Sequence, residues 1–107
     1  MDYSHMCPLY EQAIDLLGKR WTAMIIRVLM GGPRRFRDLH EQMPALSDRL
    51  LSERLKELED AGVARRRVYD ERPVRIEYEL TEKGKDLEPV VEAIQCWAEK
   101  HMHILSR

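Results

Sequence analysis

The sequence predicts a mainly α-helical fold closed by one small β-hairpin, and three observations carry that prediction. Apolar residues recur at helical spacing up to about residue 60, the period changes to two between residues 64 and 80, and helical spacing returns after Thr81. Pro44, Ala45 and Leu46 make a short turn between the third and fourth predicted helices. An arginine-rich hairpin follows the fourth helix directly. The order helix, helix, short strand, helix, helix, hairpin, helix is that of a winged helix-turn-helix.

Each element has a local reason. Pro8 suits the first position of a helix, where its missing N–H is not needed, and Leu9, Ala13, Ile14, Leu16 and Leu17 mark the apolar face of a helix over 8–17. A second helix over 21–30 is apolar on most sides and so belongs to the core; Gly31, Gly32 and Pro33 stop it. A very short strand over 34–36 leads into a third helix over 36–43, where Leu39 and Met43 fall on one side. Ser47 is an N-cap and Asp48 sits favourably in the first turn of a fourth helix, about 47–60, whose buried stripe is Leu51, Leu55 and Leu58. Gly62 ends it. Strands over 64–69 and 74–80 are joined by Asp70, Glu71, Arg72 and Pro73, and Thr81 caps a final helix over 82–105 that Pro89 bends or restarts.

A chain of 107 residues without a Gly/Ser-rich or Pro-rich linker reads as one domain, 1–107, and removes roughly two-thirds of its unfolded surface from water. Charged residues make up 35% and apolar ones 44%, which excludes a disordered chain. The longest apolar stretch is interrupted by Arg27 and is too short to span a bilayer, and residues 1–7 lack the basic start of a signal peptide. A cytoplasmic protein is expected, with Cys7 and Cys96 as free thiols. No membrane partner is implied.

The net charge of −1 argues at first against a nucleic-acid partner, but the distribution does not. Residues 18–75 hold 14 Lys/Arg against 9 Asp/Glu, and the flanks hold 4 against 10. Screening acts over about 8 Å at physiological salt, so a local surplus attracts phosphate despite an acidic remainder. The fourth helix presents Arg49, Ser52 and Lys56 outward at spacings of three and four, all reachable from one groove. Ser47 and the helix N-terminal amides suit a phosphate, and Arg49 suits a guanine edge. Asp48 and Glu53 orient the arginines or accept from a cytosine amine. Beside this helix the hairpin carries Arg65, Arg66 and Arg67 on entry, Arg72 at its tip and Arg75 on exit. Arg66 shares a face with Ala64 and Val68 and is expected to pair with an acid, which leaves Arg72 and Arg75 as the phosphate or minor-groove candidates; Arg35, in the short strand before the third helix, joins them. The set of DNA contacts expected is therefore Ser47, Asp48, Arg49, Ser52, Glu53, Lys56, Arg72, Arg75 and Arg35, on double-stranded DNA.

The last helix aligns Leu87, Val91, Ile94, Trp97 or Ala98, and His101, with Leu105 beyond. So long a stripe exceeds what a small domain buries, and a self-complementary two-fold interface covers it most simply, with Leu9 and Ile14 of the first helix. The expected partner is a second copy of the chain. Cys7 lies at a helix start, where amides stabilise thiolate in general; the residues alone leave open whether it is reactive or an inert small side chain. Cys96 lies off the stripe and reads as structural. His5, His40, His101 and His103 show no metal-ligand spacing with the cysteines, so no metal is expected. Neither a phosphate loop nor a catalytic constellation is present, so neither a cofactor nor an enzyme is expected. A winged-helix interaction module without DNA would call for acidic or apolar residues where Arg49, Lys56, Arg72 and Arg75 stand.

The chain also resembles the HxlR-type regulators, a branch close to the MarR-like winged helices. The resemblance rests on Cys7-Pro8, on Gly18-Lys19-Arg20-Trp21-Thr22, on Gly32-Pro33-Arg34-Arg35-Phe36-Arg37-Asp38-Leu39, on Ser47 through Leu58, on Pro73 through Thr81, and on Trp97. It departs at Lys19-Arg20, where a Gly-Lys pair is usual, and at Val74, where a second proline is common. The resemblance implies a homodimer joined through the first and last helices, about 8–17 and 82–105, acting on a pseudo-palindromic operator as repressor or activator. It implies a role for Cys7 in sensing oxidants or electrophiles, as against control by a small ligand, and a disulfide to Cys96 would have to form across the dimer.

Overall fold

The computed structural model describes residues 1–104. Six helices and a two-stranded sheet follow in the order α1 (Pro8–Leu17), α2 (Thr22–Leu29), α3 (Phe36–Gln42), α4 (Asp48–Asp60), β1 (Ala64–Tyr69), β2 (Arg75–Leu80), α5 (Glu82–Lys85) and α6 (Glu88–His101). The mainly α architecture with one antiparallel hairpin is the winged helix-turn-helix expected from the sequence.

Local chemistry fixes most boundaries. Pro8 opens α1, and the extended backbone of Cys7 stands at its N-cap. The Ser47 hydroxyl accepts from the Leu50 N–H at 3.1 Å and starts α4. Gly62, at φ +74°, turns the chain out of α4 in the left-handed region that favours glycine. Thr81 does more than cap α5: its hydroxyl accepts from the Gly84 N–H and donates back to the Gly62 carbonyl, so the chain after β2 is tied to the chain before β1. Gly84 lies against the Val63 carbonyl so closely that a Cβ there would collide with it.

Three elements differ from expectation. The helix expected to begin at Trp21 begins at Thr22, because Trp21 takes a left-handed φ of 81°. The short strand expected at 34–36 is a single bridge, in which Arg34 and Tyr78 exchange backbone hydrogen bonds of 2.9 and 2.7 Å. The final helix is two helices: the chain bends at Asp86 and Leu87 and restarts at Glu88, with Pro89 in the first turn of α6. Residues 102–104 are not helical, and Leu105 lies outside the described residues.

The core gathers Ile25, Ile26 and Leu29 of α2, Leu39 of α3, Leu51, Leu55 and Leu58 of α4, and Val63, Leu80 and Val91. Each such side chain contributes roughly 1.5–3 kcal/mol on burial. The α4 stripe is fully enclosed, which leaves the opposite face of that helix to solvent. By contrast α1 has no buried residue; Leu16 and Leu17 only lean on the core.

Candidate nucleic-acid interface

The four buried residues in and before α4 fix its orientation: Leu46 enters the core from the turn, and Leu51, Leu55 and Leu58 follow from the helix. Ser47, Asp48, Arg49, Ser52, Glu53 and Lys56 are consequently all exposed, on one continuous surface. The Arg49 side chain is 90% exposed. Its Nε lies 3.5 Å from Glu53 Oε1, one helical turn on. Lys56 donates to Asp60 at 2.7 Å, and this hydrogen bond raises its pKa above the ordinary lysine value. Asp48 lies 3.7 Å from His40 of α3, across the turn of the helix-turn-helix. Arg35, exposed at the start of α3, is held by its own N–H, which donates to Asp38 at 3.2 Å.

The hairpin sorts its arginines by register. Arg65 faces Glu79, Arg67 faces Glu77 and Tyr69 faces Arg75, all on one side of the ribbon. Glu79 accepts from Arg67 at 3.0 Å and lies 3.5 Å from Arg65. Burial pushes the Glu79 carboxyl up, and the hydrogen bonds from Arg67 and Arg65 outweigh it and hold it below the usual range. Arg75 forks onto Glu71 and donates to Glu77. The opposite side carries Arg66, opposite Tyr78, and Val68, opposite Ile76.

Two sequence expectations change here. Arg66 was expected to pair with an acid; among the described residues it has no ion pair, because register sends Glu79 and Glu77 to the other face. Arg75 was expected to be free for phosphate; it is the most engaged cation of the hairpin. Arg72, exposed at the tip, has no ion-pair partner among the described residues. Val68 and Val74 are exposed.

The helices expected to meet a second copy also sort by exposure. Leu9, Ile14, Ile94 and Trp97 are exposed, with Trp97 against His101 at a ring separation of 5.3 Å. Val91 is buried and Leu87 half-buried, and both pack on the core of their own domain. Val90, which the sequence reading passed over, lies instead on the open side with Pro89, Ala93, Ile94 and Trp97. Cys7 and Cys96 are both free and exposed, so Cys96 is not the structural side chain it was expected to be.

A network missed from sequence ties α4 to the turn after α1. Arg54 donates to the Arg20 carbonyl at 3.0 Å, and both Arg54 and Lys19 donate to Glu57. The hydrogen bond from Lys19 is the main reason the Glu57 carboxyl lies below its ordinary range. No local pattern signals it, since its partners lie 34 and 38 residues apart. No metal-ligating cluster occurs among the described residues. No helix among them is long and apolar enough to cross a membrane.

Comparison with known proteins agrees with this geometry. The family described as HxlR-like helix-turn-helix matches residues 16–105. The chain is 53% identical over 98 residues to the uncharacterized HTH-type transcriptional regulator YvaP of Bacillus subtilis, covering 92% of this chain and 91% of that one. It is 50% identical over 95 residues to the HTH-type transcriptional regulator YodB of the same organism, covering 89% and 85%. The reduced form of YodB superposes with a TM-score of 0.81 at 47% identity, over 92% of this chain and 97% of that one. YodB has also been solved diamide-treated, with a TM-score of 0.76, and quinone-bound, with 0.77. The redox regulator HypR in its oxidized form gives 0.85 at 34% identity, over 92% and 100%. These relatives are regulators of transcription and not enzymes. With its exposed α4 and flanking hairpin, the chain belongs to the HxlR-like family of helix-turn-helix transcriptional regulators.

Proposed function

We propose that the chain binds a pseudo-palindromic operator as a homodimer in the cytoplasm, reading bases with α4 and holding the backbone with the hairpin as a wing. The observation that carries this is the exposed face of α4, where Arg49, Ser52 and Lys56 follow a Ser47 N-cap while the apolar face is fully enclosed. Ser47 and the first amides of α4 hold a phosphate, Arg49 reads a guanine edge, and Ser52 and Lys56 extend the contact. Arg72 at the wing tip and Arg35 meet phosphate, and Arg66, without an ion pair among the described residues, is a further candidate. Glu53 and Asp48 steer Arg49 and the helix start. Dimerisation through Leu9 and Ile14 of α1 and Val90, Ile94 and Trp97 of α6 covers apolar surface that a monomer leaves in water. It sets two copies of α4 about 34 Å apart, one turn of DNA.

Cys7 is the sensing thiol in this reading. It is exposed at the N-cap of a helix that meets the second copy, and redox-regulator relatives share the fold. The test is a mobility shift on the DNA upstream of the protein's own gene, before and after a quinone or hypochlorite. Retention of a palindromic fragment, lost on treatment of the parent, is the expected outcome; no retention of any upstream fragment would remove the reading. A second reading, control by a small ligand, is favoured by a groove of about 400 Å³ lined by Leu9, Leu16, Val63, Lys83 and Asp86. It predicts operator binding indifferent to oxidant.

A further inference from the structure

We propose that Glu71 is a positioning residue of the wing: through its fork with Arg75 it holds the hairpin tip so that Arg72 meets the DNA backbone, while Arg75 itself makes no DNA contact. The inference rests on the reading of the hairpin as a DNA-contacting wing.

The last rung of the hairpin pairs Tyr69 with Arg75. The Arg75 guanidinium lies 3.8 Å from the centre of the Tyr69 ring. Its Nε and Nη2 donate to the two Glu71 oxygens at 2.9 and 3.1 Å, and Nη1 donates to Glu77 at 3.0 Å. The side chain is 28% exposed, against 58% for Arg65 and 50% for Arg67. Bidentate, charge-assisted bonds are the strong kind, and a phosphate would have to replace both of them and the ring contact. Arg75 is therefore spent on the protein.

Glu71 stands at the other end of that fork, one residue before Arg72. Its own N–H donates to the Tyr69 carbonyl at 2.8 Å, so the chain turns as soon as β1 ends. Backbone on one side and carboxylate on the other fix Glu71 between the strands, and the direction of the next residue follows from that. Arg72 has no ion pair of its own among the described residues, so the backbone alone aims it. An acid beside a phosphate-seeking cation lies within a screening length of about 8 Å and opposes the approach of DNA. Its presence is explained if holding the tip outweighs that repulsion.

The probe is a labelled mixed-sequence duplex of about 30 base pairs, some three helical turns. Binding is followed across a salt series, with thermal unfolding measured without DNA. Arg72→Ala should weaken binding several-fold and lower the salt slope by about one counterion. Glu71→Gln should do the same, although it removes a negative charge, with the unfolding midpoint unchanged. Glu71→Asp, which keeps the charge but withdraws it from the fork, should weaken binding too. The Glu71→Gln, Arg72→Ala double variant should lose no more than either alone. Parental or tighter binding by Glu71→Gln, or additive losses in the double variant, would overturn the positioning role. An Arg72→Ala variant with parental affinity and slope would overturn it differently, by removing the wing reading beneath it.

Discussion

Lys19 Nζ and Glu57 Oε2 lie 2.9 Å apart, so the turn that ends α1 is tied to the helix that carries Arg49. Arg54, only 16% exposed, adds a second donor to the same carboxylate. Acid should weaken this link. The folded Glu57 carboxyl lies below its ordinary value of 4.5, chiefly through the Lys19 hydrogen bond. A depressed carboxylate contributes stability that is complete above the ordinary range and is lost as pH falls through the folded value. Glu57→Gln should therefore cost about 1 kcal/mol near neutrality, discounted for partial exposure, and nothing once the parent carboxyl is protonated. Melting curves from neutral to acid pH should converge; parallel curves would show that the pair does not contribute.

Arg49→Ala should cost about 1–3 kcal/mol on the operator and relax selection at one base pair of each half-site. On mixed-sequence DNA the loss should be smaller. A selection experiment with randomised half-sites separates the two effects, and an unchanged consensus would move base reading elsewhere.

Ile94→Asp puts a charge on the open face of α6, next to Trp97, without touching the core. Sedimentation should show a monomer, and operator affinity should fall with dimerisation. A monomeric variant that binds a palindrome with parental affinity contradicts the proposed assembly.

Cys7→Ser should leave operator binding of the untreated protein close to parental and abolish its response to a quinone or hypochlorite. The coupling required is modest, since about 1.4 kcal/mol changes occupancy tenfold. If Cys7→Ser responds like the parent, another group senses the oxidant.

Gly84→Ala should destabilise the fold by about 2 kcal/mol or more, because a Cβ meets the backbone carbonyl of Val63 and no flexible side chain can give way. Chemical denaturation reads this directly. A cost near zero would mean that α5 shifts freely against the hairpin.

The helix starts were legible because their causes are local: Pro8 stands at the first helical position of α1, and Ser47 and Thr81 cap the residues beside them. The exposed face of α4 was legible too, since Leu51, Leu55 and Leu58 fix its complement. The roles of the hairpin arginines were not. They depend on register, and only the pairing of Arg65 with Glu79 and of Arg67 with Glu77 shows which face neutralises itself. Leu87 and Val91 pack on the core of their own domain, which the spacing of an apolar stripe does not distinguish from a face left open. The Lys19–Glu57 link spans 38 residues, beyond the reach of any local pattern.

The absence of buried residues from α1 has a consequence of its own. Ten residues fall short of the roughly 12–15 that hold a helix in water unaided. Under the proposed assembly a second copy supplies the missing contacts, so the order of the segment beginning at Cys7 depends on protein concentration. Upon dilution its amide hydrogens should exchange first, while those of α4 keep their protection. The thiol would then sit on the part of the molecule that needs the least energy to change.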